Sequence, residues 1–154
     1  MPMIPNEVPL IFQRKKSTKT DAELLSDKAS QVLAELSQDY ILQVKKDIMV
    51  MHDLLNRAET VSPQKRGELI QNDFFLKMHD LKGQGSTFGY PLLTEIGAAV
   101  CDLLRHKKGF SGLDITLLKR YVNDADRVIQ ENLTGDGGPK GAEIRNRLKE
   151  DNHV

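Results

Sequence analysis

The residues with the clearest chemical potential lie on one predicted helix, between Pro63 and Gly85. Its inward-facing residues recur at steps of three and four, and we expect them to be Ile70, Phe74, Met78, Leu81 and Gly85. At about 100° per residue, a second set falls on the outward or lateral side of the helix as a strip of neighbours. This exposed strip consists of Phe75, Leu76, His79, Lys82, Gly83 and Ser86.

The side chains of the exposed strip suit a nucleophile on a docking surface. A neutral imidazole such as that of His79 is a competent nucleophile near neutral pH. Lys82 can stabilise negative charge beside it, since two charges ~4 Å apart interact by roughly 1 kcal/mol in water and about 4 kcal/mol at an effective dielectric of 20. Gly83 removes a side chain above the ring, although a glycine inside a helix costs about 1 kcal/mol relative to alanine. Phe75 and Leu76 supply apolar area for a partner.

The elements that position this strip are all predicted to be helices, because no segment alternates with period two over a useful length. Thr20 to Glu23 matches a capping box, and two apolar stripes follow, at 25–36 and 41–55. No glycine or proline separates the stripes, so residues 21–58 could form one long helix. We expect two helices with a break near Ser37 instead, since a helix of about 38 residues is rare. Further stripes at 92–104 and 115–133 predict two more helices.

These helices predict an all-α protein built as an antiparallel four-helix bundle. An additional N-terminal helix would cover one end or one groove, and a short tail helix would form around Ile144 and Leu148. By domain, we expect a flexible basic arm at 1–19, the bundle at 20–150 and a tail at 151–154. The arm is assigned from its prolines and from the basic residues near its end, Arg14, Lys15, Lys16 and Lys19.

Composition narrows the class of protein. The chain has 154 residues, with 22 Lys and Arg against 22 Asp and Glu, so the balance argues against a partner such as nucleic acid. No apolar run approaches the roughly 18 residues that span a bilayer. Cys101 is the only cysteine, which fits a reducing compartment, and we expect it to pack in the core. These features predict a cytoplasmic protein that binds neither nucleic acid nor membrane. We expect a monomer, although none of these features determines the oligomeric state.

The run from His79 to Gly89 resembles the histidine phosphotransfer (HPt) domains of bacterial two-component phosphorelays. The family pattern is H-x-L-K-G with a further glycine six residues later, and both parts are present here. The stretch at 90–97 and the Gly-Asp-Gly-Gly at 135–138 are similar to a stand-alone alphaproteobacterial type of HPt protein. The likeness covers roughly residues 20–150 and leaves the arm unmatched.

The resemblance implies that His79 takes a phosphoryl group from an aspartyl phosphate on one receiver domain and passes it to another, with Nε2 as the nucleophile. Lys82 and Ser86 would stabilise the phosphoryl group, and Gly83, Phe75 and Leu76 would dock the receiver. The chain would be a carrier without kinase activity. It would bind no metal or cofactor itself, because the partner receiver domain brings Mg²⁺. The partners implied are receiver domains of a hybrid histidine kinase or of response regulators.

Two other functions fit parts of the sequence. A metal-dependent phosphohydrolase of the HD type would use His52, His79-Asp80 and Asp124 or Asp126. Those ligands would have to converge in the interior, yet His79 and Asp124 both fall about 140° from their apolar stripes. A helical adaptor without phosphorylation would use only the Phe75 and Leu76 patch.

Overall fold

The computed structural model describes residues 19–152, and every regular element in that range is a helix. The α-helices are α1 Asp21–Thr60, α2 Pro63–Glu68, α3 Phe75–Gln84, α4 Pro91–His106, α5 Gly112–Gln130 and α6 Gly138–Asn152. A π-helical turn, Leu69–Phe74, joins α2 to α3, and a 3₁₀ turn, Ser86–Phe88, follows α3. The predicted all-α class is confirmed for these residues. Residues 1–18 of the arm predicted at 1–19, and the last two residues of the tail, lie outside the described range.

Helix α1 runs without interruption for 40 residues, so the predicted break near Ser37 and the separate N-terminal helix are wrong. The predicted capping box is present: the Glu23 amide donates to Thr20 Oγ1 at 3.1 Å, and the Thr20 amide donates to Glu23 Oε2 at 3.1 Å. No glycine or proline lies between the two apolar stripes, and both stripes keep nearly the same phase. Local sequence therefore favours one helix over two.

The chain divides between Asp39 and Tyr40 into two units. In the first unit, the described residues are helical from Asp21, and nearly all of them are exposed. In the second unit, the residues of α1 from Tyr40 onward contribute one face to a hydrophobic core. That face consists of Tyr40, Val44, Ile48, Met51, Leu54, Leu55 and Ala58.

The core of the second unit is shared by all its long helices. Helix α4 contributes the most completely buried set, Leu92, Leu93, Ile96, Val100, Cys101 and Leu104. Helix α5 adds Ile115, Leu118, Tyr121, Val122, Ala125, Val128 and Ile129. Helix α6 is 15 residues long and buries Ile144 and Leu148 in the same core. The predicted short tail helix is therefore a full helix that helps to form the core.

Side-chain bonds to backbone fix the ends of the helices around the candidate site. The Ser62 hydroxyl accepts from the Lys65 amide at 3.2 Å, and Pro63 occupies the first turn of α2, as predicted. The Arg66 guanidinium donates to the carbonyls of Ala58 and Phe110 at 2.8 and 3.0 Å. The Arg66 bonds join α2 to the end of α1 and to the loop before α5.

Candidate functional site

The exposed strip lies on α3 and on the turn that follows it. The predicted inward residues Ile70, Phe74, Met78, Leu81 and Gly85 are all buried. On the other side, His79 and Gly83 are exposed, and Leu76 is 59% exposed despite its apolar side chain. Phe75 and Lys82 are half-buried at the sides of the strip. The helix thus presents an imidazole to solvent between an apolar patch and a lysine.

The π-helical turn before α3 was not predicted from the sequence. Its Leu69, Ile70 and Phe74 are buried, and its Gln71 side chain donates to the carbonyls of Leu104 and Lys107 at 3.1 and 3.2 Å. These two bonds satisfy carbonyls at the end of α4, which would otherwise lack helical partners. The turn therefore fixes the start of α3 against the end of α4.

The ring of Phe75 lies beside His79, and the guanidinium of Arg105 lies against that phenyl ring. The ring centroids of Phe75 and His79 are 6.1 Å apart, with an interplanar angle of 31°. The Arg105 guanidinium carbon lies 5.8 Å from the centroid of the Phe75 ring, within the range of a cation–π contact. Sequence analysis did not identify Arg105, because the contact joins α3 to α4. It adds a positive charge to the apolar end of the strip.

A basic groove adjoins the strip at Lys82. It encloses about 620 Å³, and its charged lining residues are Lys82, Glu95, Asp102, Arg105, Arg145 and Lys149. Arg145 is paired with Glu95 at 2.9 Å, whereas Lys82 forms no ion pair with any residue of the range 19–152. The four cations outnumber the two carboxylates, so the groove and the adjoining side of the strip favour an anionic group.

Cys101 is buried in the core and is not a candidate nucleophile. Burial raises the pKa of its thiol, and the positive charges of Lys82 and Arg105 offset only part of that effect. A raised pKa keeps the sulfur as the less reactive thiol near neutral pH. The predicted packing role of Cys101 agrees with its complete burial.

The glycines of α3 and α4 have different structural environments. A Cβ at Gly83 would meet no atom within 4 Å, so the fold does not require a glycine there. A Cβ at Gly85 would lie 2.8 Å from the Thr94 nitrogen, which agrees with the close packing predicted for it. A Cβ at Gly97 would lie 2.6 Å from the Lys82 nitrogen. Gly97, whose role the sequence did not suggest, therefore lets α4 pack directly behind the exposed strip.

Ser86 lies in the 3₁₀ turn after α3 and not on a continuation of the helix. Its amide donates to Thr94 Oγ1 at 2.8 Å, and its hydroxyl donates to the same oxygen at 3.0 Å. The turn closes at Gly89, whose φ of 90° favours glycine. This is the second glycine of the HPt-like pattern, and its conformation accounts for it structurally. The proposed phosphoryl contact of Ser86 remains a prediction.

The proposed metal site of the alternative phosphohydrolase does not assemble in the described part of the chain. Within residues 19–152, no group of three or more His, Cys, Asp and Glu side chains could hold a metal ion. The outward orientation predicted for Asp124 is wrong: it is buried and pairs with Arg147 at 2.6 Å. Helix α6 supplies that arginine, so the side of α5 that carries Asp124 is a second buried face.

The chain matches no family model, no curated protein and no solved structure in the comparisons with known proteins. Among residues 19–152, no helix combines the length and the apolar character needed to cross a membrane. The functional argument therefore depends on the geometry of the exposed strip and on the motif that the strip contains.

Proposed function

We propose that the protein is a histidine phosphotransfer carrier that receives a phosphoryl group on His79 from one receiver domain and gives it to another. The observation that supports this most directly is the arrangement of three residues that lie close together along α3. An exposed imidazole at His79 is followed by the half-buried cation Lys82 and by Gly83, where the fold leaves open space. A helical adaptor that binds its partner without phosphorylation would not require an exposed imidazole, a neighbouring cation and open space beside them.

The chemistry follows from the exposed imidazole. A ring nitrogen, which we assign as Nε2, attacks the phosphorus of an aspartyl phosphate, so that a P–N bond forms while the P–O bond to the aspartate breaks. The carboxylate is the leaving group, and the reverse sequence transfers the phosphoryl group to the next receiver. The incoming phosphoryl group is negatively charged, and it is stabilised by the positive charges of Lys82, Arg105 and the adjoining basic groove. Mg²⁺ belongs to the receiver in this scheme.

The docking surface of the proposed carrier surrounds the nucleophile. Phe75 and Leu76 provide apolar contact area beside His79, and Gly83 allows the partner to approach the helix closely. We propose that the second unit is arranged as the antiparallel four-helix bundle typical of HPt proteins, and that the protein acts in the cytoplasm. In that arrangement α1, the α2–α3 segment, α4 and α5 would form the bundle, with α6 as an additional helix.

Phosphoryl transfer from a labelled receiver tests the proposal. The donor is a phosphorylated receiver domain from a hybrid kinase of the organism that encodes the chain, and the acceptors are the wild type, His79→Gln and His106→Gln. His106 is the matched control because its side chain is 77% exposed on another helix and its Nδ1 lies 2.7 Å from the Asp102 carbonyl oxygen. We expect label on the wild type and on His106→Gln but not on His79→Gln.

The stability of the label distinguishes a phosphohistidine from other products. A phosphoramidate is lost in acid and retained in alkali, whereas a phosphoserine ester shows the opposite behaviour. Label that remains on folded His79→Gln would contradict the assignment of the nucleophile. A folded wild type that takes label from no receiver of the organism would favour the helical adaptor instead.

A further inference from the structure

The first unit carries an apolar stripe that its described residues leave exposed. Leu25, Val32 and Leu36 are 67%, 53% and 50% exposed. Together with Ala22 and Ala29 they recur at alternating steps of three and four, which is the heptad spacing of the a and d positions in a coiled coil. Because exposed apolar stripes on helices are typically covered by another surface, and heptad spacing is what a helix presents to another helix, the stripe favours a helical partner.

The residues beside the stripe indicate what that partner is. With Ala22 and Ala29 at a positions, Lys28 and Glu35 occupy consecutive g positions, and both are exposed. In an antiparallel pair of identical helices, g positions face g positions, so Lys28 of each copy faces Glu35 of the other. In a parallel pair, g faces e, and Lys28 would face the apolar Leu33. Charge complementarity therefore favours an antiparallel second copy.

The same register also matches the apolar layers. When Lys28 faces Glu35, Leu25 of one copy packs beside Leu36 of the other, and Ala29 packs beside Val32. Each layer occurs twice because the pair is two-fold symmetric. One layer pairs two large side chains, and the other pairs a small side chain with a β-branched one. The sequence is thus self-complementary in both charge and volume.

We propose that the protein forms a homodimer through antiparallel pairing of residues 21–36 of α1. This replaces the monomer expected from the sequence and is independent of phosphotransfer at His79. The stripe covers little more than two heptads, whereas coiled coils identified by sequence pattern extend over three or four. The dimer is therefore weak and its population depends on protein concentration.

Sedimentation equilibrium of the full chain over a range of concentrations tests the dimer. We expect a monomer–dimer equilibrium for the wild type, and dissociation at least about tenfold easier for Val32→Lys, which places two charges in the apolar layers. Leu24→Lys is the matched control, because Leu24 is an exposed leucine at a c position, about 130° from the stripe. It should dimerise as the wild type does.

Two results would overturn the dimer. One is a monomer mass at every concentration up to about 1 mM, which would leave residues 1–18 or a helix of another protein as the partner of the stripe. The other is equal weakening by Val32→Lys and Leu24→Lys, since only the first lies in the proposed interface.

A charge exchange tests the antiparallel orientation. Lys28→Glu and Glu35→Lys each place like charges opposite one another twice, and we expect each to weaken the dimer by roughly two- to tenfold. The double variant exchanges both charges and should restore wild-type association. A double variant that is as weak as its two parents would overturn the antiparallel pairing, because a parallel pair offers no such rescue.

Discussion

At the scale of single residues, Lys82 and Gly83 differ in what the fold requires of them. Lys82 is half-buried against the groove, and its neighbour Gly83 has open space around it. The Lys82 ammonium forms no ion pair with any residue of the range 19–152, and a Cβ at Gly83 would meet no atom within 4 Å. Both can therefore be changed with little risk to the fold, so that effects on transfer can be separated from effects on folding.

Removal of the Lys82 charge should slow phosphoryl transfer. We expect Lys82→Ala to reduce the transfer rate, or the lifetime of the phosphohistidine, by about tenfold, which corresponds to about 1.4 kcal/mol and lies within the range for charges ~4 Å apart. The measurement is rapid-quench transfer of labelled phosphate. Lys45→Ala removes an exposed lysine from α1 and serves as the control. Unchanged kinetics and lifetime in Lys82→Ala would disprove the role.

A large side chain at Gly83 should block docking without unfolding the protein. We expect Gly83→Phe to accept phosphate at least about tenfold more slowly from a receiver, while urea unfolding remains at or above wild-type stability because glycine is the poorer helix former. Gly83→Ala gives the intermediate case, with stability raised by about 0.5–1 kcal/mol. Gly83→Phe that is phosphorylated at the wild-type rate would show that no partner approaches here.

The predictable part of the candidate site is the part that depends on one helix. Periodicity correctly placed Met78 and Leu81 inward and His79 outward, because α3 is a regular α-helix from Phe75 to Gln84. The roles of Arg105 and Gly97 were not predicted, because their contacts join α4 to α3. The periodicity of a single helix does not indicate which other helix it will face. Such contacts require the packed structure.

At the scale of elements, α3 and α4 are held together at a glycine. The backbone of α3 lies so close to Gly97 that a methyl group would meet the Lys82 nitrogen at 2.6 Å and the Met78 oxygen at 2.8 Å. Backbone atoms cannot move aside as a flexible side chain can. The position of the exposed strip on α3 thus depends on a small residue in the neighbouring helix.

Addition of one methyl group at Gly97 should therefore destabilise the protein. We expect Gly97→Ala to lower the free energy of unfolding by about 1–3 kcal/mol, as overpacking does, even though alanine is the better helix former. Urea denaturation measures the difference, and Gly83→Ala on α3 is the matched control with the opposite expected sign. Equal stabilisation by the two substitutions would show that the α3–α4 contact is looser than this.

The start of α5 should give the stability of the protein a dependence on pH. Burial alone would raise the pKa of Asp114, but hydrogen bonds from Lys107 and from Ser111 hold that pKa below its usual value. Because the folded state has the lower pKa, this stabilisation is present above the carboxyl's unfolded pKa. It is lost as the pH falls through the folded pKa.

Asp114→Asn isolates that contribution. We expect it to lower stability near neutral pH by about 1 kcal/mol, as loss of a capping interaction does, with a difference from the wild type that shrinks as the solution is acidified. Urea unfolding across the acidic range measures this. Asp102→Asn removes an exposed carboxylate near the end of α4 and is the control. A difference for Asp114→Asn that stays constant down to strongly acidic pH would contradict the assignment.

The whole molecule was harder to predict than its parts. The stripes at 25–36 and 41–55 have the same period and nearly the same phase, yet only the second contributes to the core. A hydrophobic period indicates that a face will be covered, but it does not say by what. For the same reason, two further features were not predicted from the sequence. One is the second buried face of α5, where Arg147 pairs with Asp124, and the other is the contribution of α6 to the core.

The two halves of helix α1 should therefore exchange their amide hydrogens with solvent at different rates. Residues 44–58 include a buried face in the core of the second unit, whereas residues 21–36 are exposed. Local opening is easiest where buried contacts are few. At concentrations low enough to keep the protein monomeric, we expect amides at 24–36 to exchange at least about a hundredfold faster than those at 48–58, a difference of about 2.7 kcal/mol in opening free energy. Hydrogen exchange with mass spectrometry resolves the two segments. Uniform protection along α1 would mean that the first half is held by contacts beyond residues 19–152 of one chain.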